Sequence, residues 1–154
     1  MTVIDPDDPI DRDGGQAEDA VAGTLLLAGW DEVINLNREV ADHFPAVDQA
    51  ARNGATRVLI QVRGVTNDDG NFTTYPRSAH RAMRLGKALG LPVLFAFRHL
   101  TADGETLRFG TAARVAELAE AAEAEYPGKN RFHVNIDDFE VDVNHIKDLL
   151  DPPT

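Results

Sequence analysis

From Phe44 to Gly64 the chain reads FPAVDQAARNGATRVLIQVRG. Two β-prone runs, Ala46 to Ala51 and Thr56 to Arg63, flank Arg52-Asn53-Gly54-Ala55. Asn-Gly between such runs is the strongest short-range hairpin signal, so the stretch predicts a β-hairpin. On the second strand Gln61 and Arg63 are two residues apart, and the period-two alternation of a strand puts both side chains on one face. Asp48, on the first strand, falls opposite Gln61 or on the diagonal. An acid, a second oxygen donor and a cation then converge on one spot of a rigid sheet. Oxygen donors suit Mg²⁺ or Mn²⁺ and a nearby cation steadies charge developing on a phosphate, so the pattern points to metal-assisted phosphodiester chemistry.

Working outward, Gly15 to Ala28 is an Ala- and Leu-rich stretch with helical spacing at Ala17, Val21, Leu25 and Ala28. Gly29 suits its end. Trp30 to Asn37 reads as a first strand, and Arg38 to Pro45 as a connection in which His43 is a loop residue. After the hairpin, Val65 to Phe72 is turn chemistry. Pro76 to Leu89 predicts a helix with Ala79, Ala82, Met83, Gly86 and Leu89 on one face. Arg77, Arg81, Arg84 and Lys87 lie on the other, a candidate contact for a phosphate backbone. Leu91 to Leu100 is nearly all apolar, as a buried central strand would be, and Glu105 to Phe109 follows as another. An Ala/Glu-rich helix covers Thr111 to Tyr126. Arg131 to Ile136 alternates as an edge strand, with His133 given a packing role. Asp137 to Leu150 docks as a short acidic helix through Val141, Ile146, Leu149 and Leu150.

Asp48 followed by Gln61-Val62-Arg63 on the next strand resembles the Asp…(Asp/Glu)-x-Lys hairpin of the restriction-endonuclease-like, or PD-(D/E)XK, nuclease superfamily. The run Val58 to Gly64, then a loop, the Phe72 segment and a basic helix, is similar to small bacterial nuclease-like domains whose second strand reads Gln-Val-Lys. The resemblance spans roughly residues 15 to 100. It implies a catalytic set of Asp48, Gln61, Arg63 and Glu18, the last from its place on the helix before the sheet. Of these, Asp48, Gln61 and Glu18 would ligate Mg²⁺ or Mn²⁺. A helix N-terminus also favours an acid such as Glu18 without any metal. The sequence departs from the family pattern twice. Gln61 stands where an acid is usual, although its carbonyl can still ligate a hard cation. Arg63 replaces lysine and cannot accept a proton, though it can clamp a phosphate. Two readings stay open: a nuclease in which Arg63 acts electrostatically, or a nuclease fold that has lost catalysis.

At 154 residues the chain is one domain's worth. It has no cysteine, which excludes thiolate catalysis, disulfides and Cys-based zinc sites. Ser78 is the single serine, so serine-hydrolase chemistry is not expected. No apolar run approaches the roughly 18 residues of a membrane span, and a cytoplasmic protein is the expectation. The net charge of −11 opposes indiscriminate binding to a polyanion. Its acids, however, concentrate in Asp5 to Asp13 and in Glu117 to Asp151, and the middle of the chain is basic.

These observations predict a single α/β domain over residues 15–150, a mixed sheet flanked by helices, behind a disordered acidic tail at 1–14. The expected function is a metal-dependent nuclease-like domain acting on or binding nucleic acid, DNA first, with or without retained catalysis. The alternative is a non-catalytic interaction module. In it Asp48 and Arg63 form a structural ion pair and the acidic surface meets a protein partner.

Overall fold

Strand β3, Thr56–Val65, is the axis of the fold. Val58, Leu59, Ile60, Gln61 and Val62 are all buried, so both of its faces are covered and its apolar run need not alternate. The computed structural model describes residues 9–41 and 46–150, with side chains from Gly15 onward. β3 pairs antiparallel with β2, Gln49–Asn53, in the register Gln49↔Ile60 to Asn53↔Thr56. Its other edge pairs parallel with β5, Val93–Thr101, from Leu59↔Val93 to Val65↔His99. β1, Glu32–Asn35, and β6, Gly104–Thr111, complete a five-stranded mixed sheet ordered β1-β2-β3-β5-β6. The expected hairpin is present, but its turn tightens to Gly54-Ala55 and Asn53 joins the ladder. Gly54, at the first central position, takes φ 61°, where a side chain would be strained.

Strand alternation sorts the core into two layers. Leu59, Phe95 and Phe97 face α3, Pro76–Leu89, and α4, Ala112–Glu125. A second sheet of β4, Asn71–Thr74, and β7, Phe132–Asn135, lies on the same side. Val58, Ile60, Val62, Leu94 and Ala96 face α1, Pro9–Leu27, together with Ile146 of α5, Ile146–Leu150. The single α/β domain with a mixed sheet flanked by helices is therefore observed.

Several local expectations change. α1 begins at Pro9, taking in residues the sequence assigned to the acidic tail, whose residues 1–8 lie outside the described residues, as does His43. The stretch Trp30 to Asn37 divides into β1 and a one-turn helix α2, Leu36–Glu39, because the Asn35 side chain caps the Arg38 N–H at 3.1 Å. Asn71 and Phe72, read as turn, open β4, which pairs with β7 and drives Phe72 against Phe97 edge-on at 5.1 Å. His133 does not pack: it is exposed, its Nδ1 3.3 Å from Thr73 Oγ1. On α3 the packed stripe is Ala79, Ala82 and Gly86, while Met83 and Leu89 are 39% and 55% exposed. Small residues let α3 approach closely, and the contact is too narrow to cover its flanks.

That approach is tight at Gly86. A Cβ there would meet the Val93 side chain and lie 2.7 Å from the Leu91 carbonyl oxygen. Alanine is favoured over glycine in a helix by roughly 1 kcal/mol, but overpacking against backbone costs roughly 1–3 kcal/mol. Gly86→Ala should therefore lower the melting temperature. Gly23→Ala, with nothing within 4 Å of the added carbon, should raise it. Thermal denaturation of the two variants checks both signs.

Candidate active site

The site forms where the β2–β3 ladder runs out. Asp48 sits one residue before β2, and its N–H donates to the Ile60 carbonyl at 2.9 Å. Beyond that point the β2 side of β3 has no strand to pair with. The Val62 N–H instead donates to Asp48 Oδ2 at 2.8 Å, which fixes the carboxylate in place. Asp48 thus stands across from Gln61, as the hairpin spacing predicted.

Glu18 arrives from α1. The buried Gln49 Nε2 donates to the Glu18 carbonyl oxygen at 2.7 Å and ties that helix turn to the start of β2. The Glu18 carboxylate accepts from Asn35 Nδ2 at 3.1 Å and from Asn37 Nδ2 at 3.2 Å. The same Asn37 Nδ2 donates to Asp48 Oδ1 at 3.0 Å, so one amide spans both acids. Burial, reinforced by the Asp48 charge, pushes the Glu18 carboxyl up from 4.5 to about 7, against the pull of the Asn35 and Asn37 amides.

Gln61 and Arg63 lie on the same face of β3 and meet each other. With the Gln61 amide nitrogen donating to the Ala46 carbonyl at 2.7 Å, its oxygen accepts from both terminal nitrogens of Arg63, Nη2 at 3.2 Å. Ala46 holds φ 73°, an unusual conformation for a residue with a Cβ. Burial pulls the Arg63 guanidinium down from its usual range, and the nearby Asp48 carboxylate, with the Tyr75 side chain, pushes back. Tyr75, the N-cap of α3, is thus a near neighbour of Arg63. Asp48 and Arg63 are not among the ion-paired side chains of the described residues.

Arg77, Arg81, Arg84 and Lys87 are all exposed on α3, which packs on the sheet face that carries Gln61 and Arg63. The Arg77 guanidinium lies over the Tyr75 ring, 5.9 Å from its centroid. None of the four cations is ion-paired among the described residues.

The sequence reading missed Asn35, Asn37, Gln49 and Tyr75. Asparagine is disfavoured in strands, so Asn35-Leu36-Asn37 at the end of a predicted strand, just before Arg38-Glu39, carried an N-cap signal. Gln49 carried none, because only the fold buries it.

Among the described residues no three His, Cys, Asp or Glu side chains gather as a metal-binding group. The candidate donors are the Glu18 and Asp48 carboxylates, neither of them ion-paired among the described residues, and the Gln61 amide oxygen. Such a set fits a hard divalent cation better than any soft one.

The Glu18 shift has a testable sign. A carboxyl raised from 4.5 to about 7 favours the native state while protonated. That stability is complete below 4.5 and is lost as pH rises through about 7. Glu18→Gln, which stays neutral, should match the parent in melting temperature at acid pH and exceed it at alkaline pH. Thermal melts across that range check it; a constant difference would contradict the assignment.

No family model and no curated protein sequence matches the chain. Among solved structures it is similar to Hjc, a Holliday junction resolvase from the archaeal hyperthermophile Archaeoglobus fulgidus. The TM-score is 0.62 at 16% identity, over 86% of this chain and 98% of that one. D212, a nuclease from a fusselovirus, aligns with a TM-score of 0.49 at 13% identity, over 82% of this chain and 86% of that one. At such identity the likeness to the resolvase speaks to architecture alone: the chain has the restriction-endonuclease-like fold.

Proposed function

We propose that the chain is a nuclease-like domain that engages DNA and holds a divalent cation, Mg²⁺ or Mn²⁺, between Glu18 and Asp48. The observation that carries this reading is the carboxylate pair: two acids bridged by one Asn37 amide, with Glu18 pushed up to about 7 by burial and then by the Asp48 charge, and neither acid ion-paired among the described residues. Repulsion within such a pair is relieved when a cation enters. The cation would supply charge neutralisation at a phosphate and activation of water.

The chain's own residues fill the remaining roles. Asn35 and Asn37 orient the two carboxylates, and the Val62 N–H keeps Asp48 from turning away. Arg63 is positioned by the Gln61 oxygen and offers its guanidinium to a phosphate oxygen, where bidentate contact is strong. Arg77, Arg81, Arg84 and Lys87 meet the phosphate backbone along α3. Support for DNA as the partner comes from this cationic face and from the fold shared with a Holliday junction resolvase.

One observation favours a domain that binds without cutting. The Gln61 oxygen, the third candidate ligand, is engaged by Arg63, and Arg63 cannot serve as a proton acceptor. Calorimetric titration of Mn²⁺ together with plasmid nicking separates the cases. Binding that disappears in Asp48→Asn supports the cation site, and absence of binding in the parent contradicts it. If the parent binds the cation but nicks poorly, the double variant Gln61→Glu/Arg63→Lys should raise nicking by roughly 100-fold, the low end of what a positioned proton-transfer group contributes. No gain would mean that the loss of cutting lies elsewhere than in these two residues.

A further inference from the structure

A cavity of about 340 Å³ opens between the C-terminal end of α4, β7 and the first residue of α3. Its lining includes Tyr126, Glu125, Lys129, Arg131, His133 and Pro76. None of these residues belongs to the Glu18–Asp48 site. Tyr126 is 55% exposed, and Lys129 Nζ lies 4.9 Å from the centroid of its ring. The volume is within the range of small-ligand clefts. Its chemistry is an aromatic face, two permanent cations and a carboxylate. A second acid, Glu123, is already occupied in accepting from the Gly128 N–H at 3.0 Å.

The chain itself links the cavity wall to the candidate active site, through Tyr75. Tyr75 neighbours Arg63 on one side and is followed directly by Pro76 of the cavity wall on the other. The pairing Thr73↔His133 and Thr74↔Phe132, extended by one step, sets Tyr75 opposite Arg131. Two cation–aromatic pairs therefore stand on this side of the protein, Arg77 over Tyr75 and Lys129 over Tyr126.

We propose that this cavity takes one unpaired nucleotide of a strand whose backbone passes Arg63. The base stacks on Tyr126, Lys129 and Arg131 meet the flanking phosphates, and the Glu125 carboxylate accepts from amino or imino hydrogens on the base edge. Stacking on an exposed aromatic and neutralisation of phosphate are the two parts of single-strand recognition, and each is present here. An acid in the same pocket suits a nucleotide better than a bare anion, which it would repel. The choice of a nucleotide within a longer strand rests on the nucleic-acid reading of the Arg63 site.

The test compares a fluorescent blunt duplex with the same duplex carrying a short single-stranded overhang, by anisotropy, on the full chain. The overhang should tighten binding roughly 10-fold, the scale of one stacked base. Tyr126→Ala and Lys129→Ala should each erase most of that gain and leave blunt-duplex affinity unchanged, whereas Tyr126→Phe should keep it. Arg81→Ala/Arg84→Ala should weaken both DNAs and preserve their ratio. Equal affinity for the two DNAs, or a gain that survives Tyr126→Ala, overturns the pocket and leaves the nuclease-like reading intact. A mononucleotide titration followed by NMR completes the separation. Shifts at Tyr126 and His133 without any duplex binding would keep the pocket and remove the nucleic-acid reading of the Arg63 site; no shifts and no duplex binding would remove both.

Discussion

Two carboxylates on different elements, Glu18 of α1 and Asp48 before β2, are held together in a partly buried site, and burial reinforced by the Asp48 charge makes Glu18 resist ionisation. That costs stability at neutral pH, and the surrounding structure offsets it with a small number of directed donors. Val62 and Asn37 hold Asp48; Asn35 and Asn37 hold Glu18. The buried Gln49 amide then fixes α1 to the start of β2, so the acids cannot separate by a helix shift. Hydrogen bonds to charged acceptors are worth more than neutral ones, but amide donors cannot neutralise a charge as an ion pair does. The arrangement therefore keeps an electrostatic deficit that a cation is suited to remove.

The path of the chain explains where the cationic side chains stand relative to β3. β3 carries Gln61 and Arg63 on the sheet layer covered by α3 and α4, then runs through β4 into α3 before the chain returns as β5, parallel to β3. This crossover delivers Tyr75 beside Arg63 and sends the exposed cations of α3 away from it along one helix. The close approach of α3 through Ala79, Ala82 and Gly86 sets how far those cations stand from the sheet. The overall charge of −11 gives no hint of this, because the acids lie elsewhere in the sequence.

Much of the architecture was legible from local signals. The Asn-Gly hairpin, the Pro76 to Leu89 helix and the apolar strand after it carry period, cap and turn residues that need no tertiary information, and each is observed. The β4–β7 pair was not legible, because its partners are four residues each and lie far apart in the chain. At the site, the cross-strand placement of Asp48 and Gln61 followed from strand spacing. The contact between the Gln61 amide and Arg63 did not, since two side chains on one face can point toward solvent or toward each other. Asn37 was hidden for a different reason: its role depends on a one-turn helix where a strand was expected. The sequence alone also placed Met83 and Leu89 on the packed face of α3, whereas the contact is made by Ala79, Ala82 and Gly86 with half-buried Leu85 beside them.

The most direct test of this account is the ionisation of Glu18 itself, followed through its side-chain carboxyl carbon by NMR in metal-free buffer and again with Mg²⁺. The account predicts a midpoint near the value of about 7 in the free protein, with displacement toward 4.5 when the cation is added or when Asp48 is replaced by Asn. A midpoint already at 4.5 and indifferent to both changes would mean that the two carboxylates do not confront each other, and the proposed cation site would fall with them.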